Sequence, residues 1–318
     1  MNTSETPGML SWRVIVPFML TGTIWGSTWF VITGQIDGVP AAWSVFYRFA
    51  LATPGMFLLA LVMKRSLKLD GPGHMLAVVV GVLQFCGNFM FVYHSELHLT
   101  SGIVAVFFAL LMVPNAIFAR IFIGERMQAG FMLGSAVAIA GVAMLLVHEA
   151  RTSTLGGDVL LGVALCLGGL LSASVANVVQ ANEVGRRIAM VSLLAWAMLY
   201  GLVADLIFAL VTVGPPPLPT GAMYWMGTAY LALIGSIVTF PLHYNLVREI
   251  GAGRTAYNAI VTVVVAMLLS TLFEDYRWTP LAMAGMALAL GGMVLALRSR
   301  RTRSVKVGQA TTMRPEPE

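Results

Sequence analysis

The sequence predicts an all-α polytopic membrane protein, with ten transmembrane helices arranged as two inverted five-helix repeats. Of the 318 residues, 58% are hydrophobic and only 10% are charged, whereas a typical soluble domain carries about 25% charged residues. The charges separate long apolar runs, and the two halves of the chain resemble each other. This composition excludes an ordinary soluble enzyme and a disordered protein. The net charge of +5 comes largely from a terminal basic cluster, so no nucleic-acid partner is expected.

A transmembrane helix needs about twenty apolar residues to cross a hydrocarbon layer about 30 Å thick. Ten stretches meet this requirement, and the segments that join them are too short for a soluble domain. The first stretch has no clear small-residue cleavage site, so we expect a retained helix rather than a signal peptide. The predicted spans are 14–34, 41–63, 75–94, 102–122, 129–148, 158–180, 189–212, 223–245, 254–272 and 280–297.

Basic residues in the short loops predict the orientation of the chain. With the amino terminus in the cytoplasm, only Arg151 and Arg277 of these loop residues fall outside. We therefore expect a multi-pass protein of the cell (inner or plasma) membrane, surrounded by the lipid bilayer, with both termini in the cytoplasm. The basic residues that then fall inside are Arg13, Lys64, Arg65, Lys68, Arg126, Arg186, Arg187, Arg248 and the carboxy-terminal cluster.

An internal repeat relates the two halves. A shift of 149 residues aligns Phe91 with Phe240 and His94 with His243. Each half contains five spans, and this odd number means that the second copy enters the membrane from the opposite side. Inverted repeats are typical of alternating-access carriers, whose substrate site lies near mid-membrane between the repeats. The predicted units are a cytoplasmic amino terminus (1–13), a first repeat (14–148), a connecting loop (149–157), a second repeat (158–297) and a basic cytoplasmic tail (298–318).

Several short motifs, in their order and spacing, point to a known family. They are Ile24-Trp25-Gly26-Ser27-Thr28-Trp29-Phe30, Arg48, Leu97 through Gly102, Pro114, Ile123-Gly124-Glu125-Arg126, and the pair Gly134 and Gly141.

Over about residues 14–298, these motifs resemble the drug/metabolite transporter superfamily, specifically its ten-span EamA-type carriers. The sequence departs from the family pattern at Val263, where a proline is expected, and at Leu272-Phe273-Glu274, where Leu-Gly-Glu is typical. The resemblance implies a carrier of small polar or amphipathic metabolites, often exported and amino acids among them. It implies no bound cofactor.

Polar side chains within the spans are the candidates for substrate contact, because a polar group in hydrocarbon must find a partner. Gln84 and Asn88 are four residues apart and share a helix face, where they bond either a substrate or a neighbouring helix. Trp25 and Thr28 form either an aromatic floor for a substrate or a packing surface. The other candidate substrate-binding residues are His94, Asn177, His243, Tyr244, Tyr257 and Asn258.

Arg48 and Asp205 are the clearest charges at depth, and such groups are functional candidates by default. Arg48 lies about seven residues into its span, so it either serves the site or extends outward to the interface. Asp205 is either a proton acceptor that couples transport or the partner of a neighbouring helix. Glu274 is more simply a helix-end residue. No pattern predicts a catalytic residue or a metal ligand.

We therefore predict a secondary carrier that works by alternating access. No GxxxxGK[ST] segment is present, so ATP does not drive it directly. Small-molecule substrates are expected, and amino acids with aromatic or large apolar side chains are favoured, because the candidate site combines aromatic rings with amides. The alternatives are a multidrug, nucleoside or other metabolite carrier of the same fold, and an intramembrane lipid-modifying enzyme. The sequence leaves the oligomeric state open.

Overall fold

The computed structural model describes residues 11–124, 127–152, 158–250 and 255–311. Within these ranges the chain is helical and forms no strand. Nine described helices are long and apolar enough to cross a membrane, and a tenth is apolar but shorter. In chain order, α1–α10 are Trp12–Ile36, Ala41–Val62, Gly71–Ser95, Ser101–Ile123, Ala129–Thr152, Val159–Val179, Met190–Thr212, Ala222–Ile250, Asn258–Phe273 and Pro280–Thr311.

The predicted all-α polytopic membrane fold is thereby confirmed, with span edges that differ from the predictions by a few residues. One difference is larger. Helix α10 continues as a helix through Thr311 into the segment expected to be a basic tail. A short helix, Glu183–Arg187, connects α6 and α7.

The helices pack in a pattern that is unchanged when the first five are exchanged for the last five. Helix α2 packs on α7, α5 on α10 and α4 on α9. Helix α1 contacts α8 and α9, and its counterpart α6 contacts α3 and α4. Because five spans precede the second copy, equivalent helices run in opposite directions. This is the arrangement of two inverted five-helix repeats.

Successive helices reverse direction, so the bundle has two distinct faces. We call the face at which α1 begins the near face and the opposite one the far face. At the far face, the Gln35 amide at the end of α1 donates to the Tyr224 carbonyl at the start of α8, at 3.1 Å. At the near face, the Trp196 indole at the start of α7 donates to the Leu67 carbonyl before α3, at 2.8 Å.

Wide π-helical segments interrupt α3 and α8 at equivalent places in the two repeats. They span Gly81–Gly87 and Tyr230–Val238. A π segment changes the backbone bonding of a helix and is frequent at functional sites. In α3, the Leu83 carbonyl accepts a bond from the Ser172 hydroxyl of α6 at 2.7 Å. In α8, the Gly235 carbonyl accepts a bond from the Trp25 indole of α1 at 3.3 Å, so both segments bind the corresponding helix of the other repeat.

Helix α4 is broken in the middle, whereas its counterpart α9 is continuous. The helical segments of α4 are Ser101–Ala109 and Met112–Ile123, with a turn between them. Pro114 explains the break, because a proline ring clashes with the carbonyl four residues earlier, here that of Leu110. The Leu110 carbonyl instead accepts from the Val113 N–H at 2.8 Å. Val263, the departure from the family pattern noted above, lies at the equivalent place in α9, and there the helix is intact.

Glycines allow α5 and α10 to pack backbone against backbone. A Cβ atom at Gly141 would lie 2.3 Å from the Ala289 nitrogen, and one at Gly292 would lie 2.3 Å from the Ala138 nitrogen. Such separations are too short for any side chain. The glycine pairs in the two repeats therefore contact each other directly, in the way that small residues commonly join membrane helices.

Candidate functional site

A cavity of about 450 Å³ lies between the two repeats, a size typical of a small-molecule site. Asn115 of α4, Gln180 after α6 and Thr255 before α9 line it at one end. All three lie toward the near face, so the cavity extends to that end of the bundle. A carrier built from inverted repeats is expected to bind its substrate in this position.

Aromatic rings form much of the cavity wall. The Trp25 ring of α1 lies 4.8 Å from the His243 ring and 5.7 Å from the Phe240 ring, measured between centroids. Trp29, one turn later, lies 5.2 Å from Phe108 of α4. Helices from both repeats contribute these rings. The wall is therefore suited to a flat or bulky apolar group that both repeats contact together.

Arg48 brings a positive charge to the cavity. Its side chain is only 3% exposed, and its guanidinium lies 4.4 Å from the centre of the Phe89 ring, in the range of a cation–π interaction. It donates weakly to the Tyr93 hydroxyl at 3.5 Å and to the Ser236 hydroxyl at 3.3 Å. The side chain therefore points into the bundle rather than outward to the interface.

The Arg48 charge is incompletely satisfied. Its Nε has no hydrogen-bond partner in the part of the chain that the structure describes, and no described carboxylate forms an ion pair with it. A buried charge without a counter-ion is costly for the folded state. Of the described residues that line the cavity, none is Asp or Glu. The arrangement is therefore suited to an anionic group on a bound molecule.

Amide side chains supply the neutral polar groups. Gln84 and Asn88 both line the cavity, as expected from their shared helix face, and the Asn88 Oδ1 has no hydrogen-bond partner among the described residues. Asn177 lies 3.5 Å from the Gln180 amide nitrogen. Asn258 plays a different part, since its amide nitrogen donates to the Phe18 carbonyl and to the Thr21 hydroxyl. This amide group holds α9 against α1.

The structure brings most of the predicted site residues together and leaves the rest elsewhere. His94 and Tyr257 do not line the cavity. His94 instead bonds the Met90 carbonyl of its own helix at 2.6 Å. The side chain of Tyr244 lies outside the described residues. The predicted residues that do line the cavity are Trp25, Thr28, Arg48, Gln84, Asn88, Asn177, His243 and Asn258.

Asp205 lies away from the cavity. It is fully buried in α7, beside the Cys86 thiol of α3, and neither carboxylate oxygen meets the hydrogen-bond criteria with a described residue. Its place between α3 and α7 separates it from the candidate site residues that line the cavity.

Sequence reasoning missed several cavity residues. Phe89 and Phe108 are ordinary apolar residues of their spans, and nothing in the sequence distinguishes them from lipid-facing ones. Trp29 was noted only as part of the motif in the first span. Asn115 offered a signal, because an amide beside a mid-span proline is unusual in an apolar helix. Its Oδ1 has no hydrogen-bond partner in the described ranges.

Known proteins resemble this chain over most of its length. It is 23% identical to Protein PagO of Salmonella typhimurium over 287 residues, which cover 89% of each chain. It is 30% identical to the uncharacterized inner membrane transporter YedA of Escherichia coli over 253 residues, covering 78% of each. A probable terminal-alkyne amino-acid exporter of Streptantibioticus cattleyicolor is 25% identical over 295 residues, covering 91% of this chain and 94% of the relative.

A solved crystal structure shares the fold, with a TM-score of 0.67 and 17% identity, over 90% of this chain and 97% of the other. The EamA-like transporter family matches residues 12–147 and 160–298, one match in each repeat. These ranges contain all the cavity-lining helices. The helices, the repeated architecture and the two matches together establish that this multi-pass membrane protein belongs to the EamA-like transporter family.

Proposed function

We propose that the chain is a secondary carrier for amino acids with aromatic or large apolar side chains. The observation that carries this proposal is the buried Arg48 guanidinium, which faces the cavity without a carboxylate partner among the described residues. A substrate carboxylate would supply the missing counter-charge, and a guanidinium binds carboxylates with two parallel hydrogen bonds. The aromatic wall would hold the side chain, and the amides would bind the amino group.

One relative supports this substrate class. The Streptantibioticus cattleyicolor protein is named a probable terminal-alkyne amino-acid exporter, so an amino acid is the cargo assigned to a protein of this architecture. Export is the direction we propose for this chain as well. The cavity extends toward the near face, from which a cytoplasmic substrate would enter if that face is cytoplasmic.

The charges around the near face support this orientation. Lys64, Arg65 and Lys68 precede α3, and Arg186 and Arg187 precede α7. Loops rich in arginine and lysine remain in the cytoplasm. We therefore place the near face, and with it both termini, on the cytoplasmic side.

The alternatives fit the cavity less well. A lipophilic cation, the usual cargo of a multidrug carrier, would meet the positive charge of Arg48 and no acidic side chain among the described lining residues. A nucleoside has no anionic group for Arg48 to bind. An intramembrane lipid-modifying enzyme commonly needs reactive carboxylates or a metal in its substrate site. No described residue that lines the cavity is Asp or Glu, and no described group of His, Cys, Asp and Glu could hold a metal ion.

The direct test is exchange transport by the purified protein in liposomes. Vesicles loaded with unlabelled phenylalanine should take up radiolabelled phenylalanine. Unlabelled tyrosine, tryptophan and leucine should compete, whereas tetraphenylphosphonium and adenosine should not. Vesicles without the protein are the control. No exchange with any amino acid, or strong competition by the cation, would rule the proposal out.

Trp25→Ala tests the aromatic wall. We expect the affinity for phenylalanine to fall about tenfold, because an aromatic pair contributes about 0.5–1.5 kcal/mol beyond its buried area. The affinity for alanine should change much less. Trp12, which is 80% exposed and far from the cavity, gives the matched control Trp12→Ala. Equilibrium binding assays on both variants measure these affinities. If Trp25→Ala lowers the affinities for phenylalanine and alanine equally, Trp25 does not recognise the substrate side chain.

A further inference from the structure

Two carboxylates from other helices cap the start of α4 at the far face. Glu149 at the end of α5 accepts the Thr100 N–H at 3.0 Å. Glu274 after α9 accepts the Ser101 N–H at 3.4 Å and its hydroxyl at 2.7 Å. The start of a helix carries unsatisfied N–H groups and a partial positive charge, so both carboxylates stabilise it. The caps tie the start of α4 to both repeats.

These caps lie where the cavity ends. From α4, the cavity lining begins at Ala105 and continues toward the near face. The first turn, which starts at Ser101, contributes nothing to the lining. Opening the far face requires α4 to separate from its surroundings at this point, and the two capping bonds must then break.

A third carboxyl group, that of Glu96, lies in the turn between α3 and α4. It is only 4% exposed, and neither carboxylate oxygen has a hydrogen-bond partner in the described ranges. The groups that face it are Glu274 of the cap, Arg48 of the cavity, Tyr93 of its own helix and Cys166 of α6. Burial, and then the negative charge of Glu274, raise the pKa of Glu96 well above its ordinary value, while Arg48 opposes this.

Glu96 takes no part in the capping hydrogen bonds of Glu149 and Glu274. It can therefore gain or lose a proton without breaking them. In the closed arrangement the ionised form of its carboxyl group is disfavoured, because the group is buried and its oxygens have no hydrogen-bond partner among the described residues. When the far face opens, water reaches the group and stabilises the ionised form. The protonation of Glu96 therefore depends on whether the far face is closed or open.

We propose that Glu96 is the proton-carrying group that couples substrate movement to proton movement. The proposal rests on the proposed function, in which Arg48 binds the substrate carboxylate. With substrate bound, the positive charge of Arg48 is neutralised and no longer favours ionised Glu96. Substrate and proton therefore bind together, by reciprocal linkage between the two sites.

The transport cycle then balances as follows. One proton joins the Glu96 carboxylate on the side where substrate binds, and leaves to water on the side where substrate is released. In export the proton therefore moves outward with the substrate, and the outward amino-acid gradient drives both. A zwitterionic amino acid carries no net charge, so each cycle moves one positive charge. The charges that act on Glu96 are those of Glu274 and Arg48. Glu274 in turn acts on Glu149, as does the neighbouring His148.

The test compares two fluxes in the same proteoliposomes. Amino-acid exchange is measured with radiolabelled phenylalanine in a portion loaded with unlabelled phenylalanine. Proton movement is measured with an entrapped pH-sensitive dye during net phenylalanine uptake into a portion left empty, because balanced exchange carries no net proton. Glu96→Gln should retain exchange near the wild-type rate and lose substrate-dependent proton movement. Glu183→Gln, an exposed change in the short helix at the near face, should retain both.

Each other outcome has a definite meaning. Absence of exchange in the wild type contradicts the proposed function itself. If proton movement persists in Glu96→Gln, Glu96 does not couple transport. If proton movement is instead lost in Asp205→Asn, the coupling group is Asp205. Loss of both fluxes in folded Glu96→Gln indicates a structural role and also overturns the proposal. If that variant does not fold, Glu96→Asp replaces it: a shifted pH profile of proton movement supports the proposal, and an unchanged profile contradicts it.

Discussion

Replacement of Gly292 by leucine is expected to prevent stable folding, whereas the same replacement at the adjacent Gly291 is expected to be tolerated. A Cβ atom at Gly292 would lie 2.3 Å from the Ala138 nitrogen and 2.7 Å from the Gly134 oxygen. These are backbone atoms, so no side-chain rotation can relieve the clash. A Cβ atom at Gly291 would meet nothing within 4 Å. Both changes add the same apolar volume to the same helix.

The expected destabilisation of Gly292→Leu is about 3 kcal/mol or more, at the upper end of what overpacking normally costs. Gly291→Leu should be neutral or slightly stabilising, because leucine favours a helix over glycine by somewhat under about 1 kcal/mol. Size-exclusion chromatography of heated, detergent-solubilised protein measures both. Equal melting temperatures for the two variants would mean that α5 and α10 do not pack through their glycines.

Arg48→Ala is expected to lower the affinity for amino acids at least about 30-fold, since loss of one partner from a buried charge pair costs about 2–5 kcal/mol. Arg48→Lys should retain part of the affinity, because an ammonium keeps the charge but lacks the planar fork of donors. Equilibrium binding of radiolabelled phenylalanine gives the three dissociation constants. A lysine variant weaker than the alanine variant would exclude a role for the positive charge.

The ligand itself provides the control for this experiment. Phenethylamine lacks the carboxylate but keeps the ring and the amino group. It should bind the wild type weakly and bind Arg48→Ala no less well. If the variant loses affinity for phenylalanine and phenethylamine equally, Arg48 stabilises the cavity rather than the substrate carboxylate.

The sequence predicted those parts of the fold that depend on local composition and spacing. Apolar length located the spans, whereas the packing of α5 on α10 through Gly134 and Gly141 was not predicted. Gln84 and Asn88 lie on one helix face, as their separation of four residues predicted, and in the structure this face lines the cavity. Pro114 was noted only as a family motif, and the break that it causes in α4 was not predicted, although the effect of a missing N–H is local.

Features that depend on tertiary packing could not be predicted. Glu96 lies in a polar run, Tyr93-His94-Ser95-Glu96, which has the composition of an exposed loop. Its burial results from α6 and the end of α9, whose positions no local pattern encodes. The π segments were missed for a similar reason, because the residues of Gly81–Gly87 are equally compatible with an α-helix.

Helices α4 and α9 are equivalent in the two repeats but differ in structure, and this difference affects the free energies of the conformations open to each side. If the two repeats were identical, a two-fold rotation in the membrane plane would convert the conformation open to one side into the conformation open to the other, and the two would have equal free energy. Because α4 is broken and α9 is continuous, the two conformations differ in free energy. Without any gradient, the empty protein then has a preferred resting conformation, and its apparent affinity for the same solute differs between the two compartments.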